Sequence, residues 1–155
     1  MPRPPAHRID SVSILFMCLA VCAIACGPVP GGSLSGNTTR TPDDWSMLLD
    51  GDRAFCEVES RLDAPHSIQL DCFLYEGQLH VQSHRWALSA WWPVESWAAI
   101  WIQAPNVRVR VGQQIFDLRA YHVSDPVGRA KILTFRGYDS VPDGIAVFRF
   151  DPREN

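Results

Sequence analysis

Lysine is nearly missing from this chain. Lys131 is the only one among 155 residues, and arginine carries the rest of the positive charge. The formal net charge is −3, so the basic face that a nucleic acid demands is lacking, and we expect no nucleic-acid partner. No G-x-S-x-G elbow or comparable nucleophile context links the serines, histidines and aspartates, which leaves a hydrolase without a motif. His80 and His84 lie four residues apart in an extended stretch, roughly 13 Å along a strand and too far to share one metal ion. They read as surface or pocket-rim residues, and no metal site is expected. Internal repeats are lacking too. So is any apolar run of the roughly 20 residues that a comfortable bilayer span needs.

The longest apolar run, Ser11–Ala25, has 15 residues, follows Arg3 and Arg8, and ends in small residues. That is the pattern of a secretory signal. The junction Ala23-Ile24-Ala25-Cys26 resembles a bacterial lipobox, which implies cleavage before Cys26 and lipid attachment to it. The plainer alternative is an ordinary signal peptide cut after Ala25. Residues Cys26 to Asp43, CGPVPGGSLSGNTTRTPD, are rich in Gly, Pro, Ser and Thr and read as a flexible tether. Gly27, standing where Asp would retain the protein at the inner membrane, resembles the outer-membrane sorting pattern. We therefore expect a signal peptide over 1–25, a tether over 26–43 and one domain over 44–155. The protein would be held by its lipid on the periplasmic face of the outer membrane.

Two cysteines remain in the domain, Cys56 and Cys72. An even pair in an oxidising compartment reads as a disulfide. A metal site would want more ligands, and a redox pair would more typically stand closer, as in C-x-x-C. Both cysteines fall on the apolar sides of alternating stretches, 54–59 and 67–75. Antiparallel pairing of these two strands would set the cysteines opposite each other.

The rest of the domain alternates between strand and helix signals. Residues 44–50 predict a short helical turn. Glu76-Gly77 predicts a tight turn, and a strand over 79–85 completes a three-stranded meander. Pro93 suits the first position of a helix running to Pro105, with Val94, Trp97, Ile100 and Trp101 along one stripe. Val107, Val109 and Val111 alternate with Arg108 and Arg110 before a hairpin loop at 112–114. Asp125-Pro126 opens a helix to about Phe135, with Val127, Ala130, Ile132 and Leu133 as its apolar side. A last strand is expected over 145–150.

The order strand, Gly turn, strand, Asp-Pro helix in NVRVRVGQQIFDLRAYHVSDPVGRAKIL, after a helix ending in Pro-Asn, resembles the split β-barrel flavin-binding superfamily. It is most similar to the deazaflavin-dependent nitroreductase and pyridoxamine-phosphate-oxidase-like branch, and IQLDCFLYEGQLHVQSH fits that branch's earlier hairpin. The resemblance covers about residues 54–150. It implies a mainly β fold with two helices, an antiparallel split-barrel-like structure of six or so strands, and a site for FMN or deazaflavin. Flavin-binding members hold the cofactor phosphate with cations and hydroxyls on the helix before the Pro-Asn break. Here Trp97, Ala98, Ala99 and Ile100 stand in that place, and Arg85 is the nearest basic alternative.

Five of the six tryptophans fall between residues 86 and 101. Tryptophan is enriched where a surface is apolar on one side and wet on the other, and at interface anchors. We expect Trp86, Trp91, Trp92, Trp97 and Trp101 to build an apolar pocket or docking face. Arg108 and Arg110 are a further candidate site, since Arg captures carboxylate or phosphate with two parallel donors. The expected function is a non-catalytic binding or assembly module for an envelope protein or an apolar ligand, with no cofactor. A flavin- or deazaflavin-dependent oxidoreductase is the alternative.

Overall fold

The computed structural model describes residues 31–49, 51–85, 87–88 and 96–153. The signal segment, Cys26, Trp86, Trp91 and Trp92 lie outside the described residues, as do positions 89–95.

Six antiparallel strands close into a barrel: β1 (Arg53–Ser60), β2 (His66–Tyr75), β3 (Gln78–Gln82), β4 (Asn106–Val111), β5 (Gln114–His122) and β6 (Val147–Pro152). Their spatial order is β1-β2-β3-β6-β5-β4, with β4 returning to β1. Closure removes the unpaired edges that an open sheet of this size would present. The expected meander and hairpins are all present. Glu76 and Gly77 both take positive φ, 50° and 73°, the two-residue turn whose twist matches its strands. It joins Tyr75 to Gln78 in register.

Alternation fills the barrel interior with Val58, Val81, Val109, Phe116, Leu118 and Phe148, all buried. Cys56 and Cys72 join there as a disulfide. The pairing differs from the expectation in one respect. Cys56 faces Leu70, and Cys72 faces Ala54, so the bridge runs diagonally, with the Cα atoms 5.8 Å apart. Diagonal neighbours still fall within the reach that a disulfide needs.

Helix α1 (Trp97–Gln103) plugs one end of the barrel with Ala98 and Trp101. It begins later than Pro93 suggested. Ser96 is extended, its Oγ accepts from the N–H of Ala99 and donates to the carbonyl of Ala87. This hydroxyl cap satisfies an orphan helix donor.

Helix α2 (Pro126–Phe135) starts where expected, with Asp125 accepting from Gly128 N–H and Pro126 in the first turn. It lies outside the barrel. Ile132 and Leu133 pack with Phe73, Ile145 and Val147 in a second cluster. That cluster explains why Cys72, Phe73 and Leu74 are buried in succession: β2 is covered on both faces. Val127, assigned to the apolar side of this helix, is instead exposed.

Candidate functional site

Of the two described tryptophans of the expected docking face, Trp101 is a core residue and Trp97 packs against the core. Trp101 is 0% exposed, and its ring meets Trp97 at 4.5 Å, Phe148 at 5.4 Å and Phe150 at 5.8 Å. Trp97 is half-buried against the same cluster. The stripe that looked like an interface anchor is the hydrophobic face by which α1 seals the barrel. A short helix closing an open barrel end needs wide, flat side chains there, and Trp supplies the most area.

Arg108 and Arg110 do not face an open ligand site either. They clamp the chain's own N-terminal segment. Arg108 donates to the carbonyls of Leu34 at 2.9 Å and Gly36 at 3.1 Å and pairs with Glu59 at 3.3 Å. Arg110 donates to the carbonyl of Ser35 at 3.0 Å and pairs with Glu57 at 2.7 Å. Glu59 in turn accepts from the N–H of Leu34 and, at 3.4 Å, from Ser33 Oγ. Gly31 exchanges two backbone hydrogen bonds with Ser67, and Thr39 N–H donates to Ile115.

Residues 31–39 are therefore a strap laid across β1 and β4, and not the free tether that their composition suggested. Leu34 is 4% exposed, and Glu59, an outward residue by alternation, is 2% exposed beneath it. The sequence signal was present but non-local. Glu57 and Glu59 share parity on β1, Arg108 and Arg110 share parity on β4, and the register sets Glu57 beside Arg110 and Glu59 beside Arg108. Nothing short of that register shows that four alternating charges form one ladder able to hold backbone carbonyls.

Among the described residues, one of several concave sites lies away from both the tryptophan stripe and the strap. The β2–β3 turn, the outer faces of β5 and β6 and the start of α2 enclose a cleft of about 330 Å³, at the small end of the roughly 300–1,000 Å³ usual for ligand sites. Tyr75, His80, Tyr121, Lys131 and Arg149 are among its lining residues. His80 is 3% exposed. Its Nδ1 donates to the carbonyl of Gln78 at 2.9 Å, which makes Nε2 the ring's acceptor in the neutral form. Burial, the largest influence, holds its pKa below the ordinary histidine value. Arg149 is clamped by Asp151 through two hydrogen bonds, at 2.6 and 2.8 Å, and lies over the Tyr121 ring at 4.9 Å.

His80 therefore lines this cleft, whereas His84 is exposed beyond the end of β3. Among the described residues, no group of three or more His, Cys, Asp or Glu could hold a metal ion. The cleft escaped the sequence reading because its walls come from four separate elements. Of its lining residues, only His80 is expected at a pocket rim from the sequence.

On helix α1, where the resemblance places a flavin phosphate, the described residues do not fit it. Helix α1 carries no cation from Trp97 to Gln103, and its Ala98 is buried. The Arg108 and Arg110 guanidinium groups are spent on the strap and on Glu57, Glu59 and Asp117. In the cleft, Lys131 and Arg149 are set against Glu76, Asp125 and Asp151, a balance that leaves no excess of positive charge for a dianion.

No protein-family model matches the sequence, and no curated protein matches it. Among solved structures, the fold is similar to a candidate pyridoxamine 5'-phosphate oxidase from Listeria innocua. The TM-score is 0.50 at 16% identity, over 65% of this chain and 85% of that one. At that identity the likeness speaks to fold alone: the closed six-stranded antiparallel barrel of this chain is similar to the split barrel of that structure.

Proposed function

We propose that this protein is a non-catalytic binding module of the bacterial envelope, anchored through lipid on Cys26 to the periplasmic face of the outer membrane. One observation carries the non-catalytic reading: three arginines of the barrel wall, Arg108, Arg110 and Arg149, are engaged internally. Arg108 and Arg110 hold the strap, Arg149 is clamped to Asp151, and the helix where a cofactor phosphate would be held has none. The cleft beside α2 is the binding site in this reading. Its Tyr75 and Tyr121 rings, the His80 acceptor and the exposed Lys131 suit an apolar or aromatic ligand with one polar end, or such a side chain of an envelope protein. Trp86, Trp91 and Trp92 keep their assignment as partner-binding residues.

The test is purification of the mature protein from its native envelope. A colourless protein that takes up no flavin, and whose Lys131→Ala or Tyr121→Ala variant loses a crosslinked partner at unchanged melting temperature, supports the module. A stoichiometric yellow chromophore overturns it in favour of the second reading, a flavin- or deazaflavin-dependent oxidoreductase. The likeness of its barrel to that of a candidate oxidase supports that second reading.

A further inference from the structure

Docking of the strap shortens the tether. If all of 26–43 were free, its 18 residues could reach roughly 60 Å when extended. With Gly31 fixed to Ser67 by hydrogen bonds of 3.0 and 2.9 Å, only Gly27-Pro28-Val29-Pro30 separates Cys26 from the barrel. Five Cα–Cα steps span at most about 18 Å. Ser67 is the second residue of β2 and follows directly on the β1–β2 loop, residues 61–65. That loop carries Leu62, 40% exposed. The headgroup layer is roughly 5–7 Å deep on each side of the hydrocarbon core, so a lipid on Cys26 leaves the corner of the barrel at Ser67 little room to stand off.

We infer that the strap orients the barrel on the membrane, with the β1–β2 loop and Leu62 against the lipid headgroups and the opposite end of β2 facing away. Eight Cα–Cα steps of extended chain separate Ser67 from Tyr75, roughly 26 Å. The Glu76-Gly77 turn and the cleft that it borders are therefore presented to the periplasm, where a partner can enter. This inference rests on the lipid anchor proposed above. The strap acts as a rigid arm, and Gly31 is its fixed point. A Cβ there would stand 2.4 Å from Ser67 Oγ, so a larger residue cannot keep the pairing without displacement.

The experiment uses the full-length lipidated protein in vesicles of phosphatidylethanolamine and phosphatidylglycerol that carry a headgroup nitroxide. A fluorophore is attached at Leu62→Cys or, separately, at Glu76→Cys. The expected result is strong quenching at 62 and none at 76. An insertion of about ten Gly/Ser residues between Pro30 and Gly31, adding roughly 17 Å of mean reach, should abolish the quenching at 62 while the protein stays vesicle-bound. Equal quenching at both sites, or quenching at 62 that survives the insertion, overturns the orientation and leaves the anchor standing. A protein that never enters the membrane fraction, or whose Cys26→Ser variant stays there, overturns the anchor first and the orientation with it.

Discussion

The carboxylate of Glu59 accepts the backbone N–H of Leu34, 25 residues earlier in the chain. This one bond joins a segment of low-complexity composition to the barrel wall. It also helps to satisfy a buried carboxylate whose other partners are Arg108 and the Ser33 hydroxyl, where an unmatched charge is costly. Glu59→Ala should therefore destabilise the domain by about 3 kcal/mol, and Glu59→Gln, which keeps an acceptor, by less. Denaturant unfolding measures the loss. Amide exchange should show residues 33–39 losing protection before the strands do.

Trp101 and Trp97 separate core packing from surface docking. Trp101→Ala should cost about 3–5 kcal/mol, the range for removing a large buried aromatic. Trp97→Ala, at a half-buried position, should cost less. Thermal unfolding checks this. A Trp101→Ala protein of unchanged stability that has lost a partner would return the residue to the interface that its neighbours in sequence suggested.

The diagonal Cys56–Cys72 bridge closes a loop of 16 residues. In the chain-entropy account a loop of that size is worth about 3 kcal/mol. The double variant Cys56→Ala/Cys72→Ala should lose about that much in denaturant unfolding, with far-ultraviolet circular dichroism unchanged.

Acid should weaken the fold through His80 and His122. Burial, the largest influence on each, lowers both pKa values below the ordinary 6.5. The unfolded chain then binds protons that the folded one resists. Stability is full above about pH 6.5 and falls as pH drops towards the folded pKa values. His80→Gln should flatten this slope, and proton NMR of the His80 ring should titrate below the free-histidine value.

Much of the barrel was legible because its signals are local. The alternation of Val107, Val109 and Val111, the Glu76-Gly77 turn and the Asp125-Pro126 helix start each depend on neighbours within a few residues. The cysteine pair is legible for a different reason, the even count in a chain expected in an oxidising compartment. What was not legible depends on contacts across long separations. The strap needs the β1–β4 register, which sets Glu59 beside Arg108 49 residues later. The cleft needs α2 docked over the β2–β3 hairpin. The tryptophan stripe is apolar, as its spacing predicts, but no periodicity says whether such a stripe faces a partner or the protein's own open barrel end.

The most direct test of the account is an equilibrium titration of the purified mature protein with FMN and, separately, with a deazaflavin, followed by fluorescence quenching. Internal consumption of the Arg108, Arg110 and Arg149 charges predicts no saturable binding of either. Stoichiometric, saturable binding that is abolished by Arg108→Ala or Arg110→Ala would contradict it.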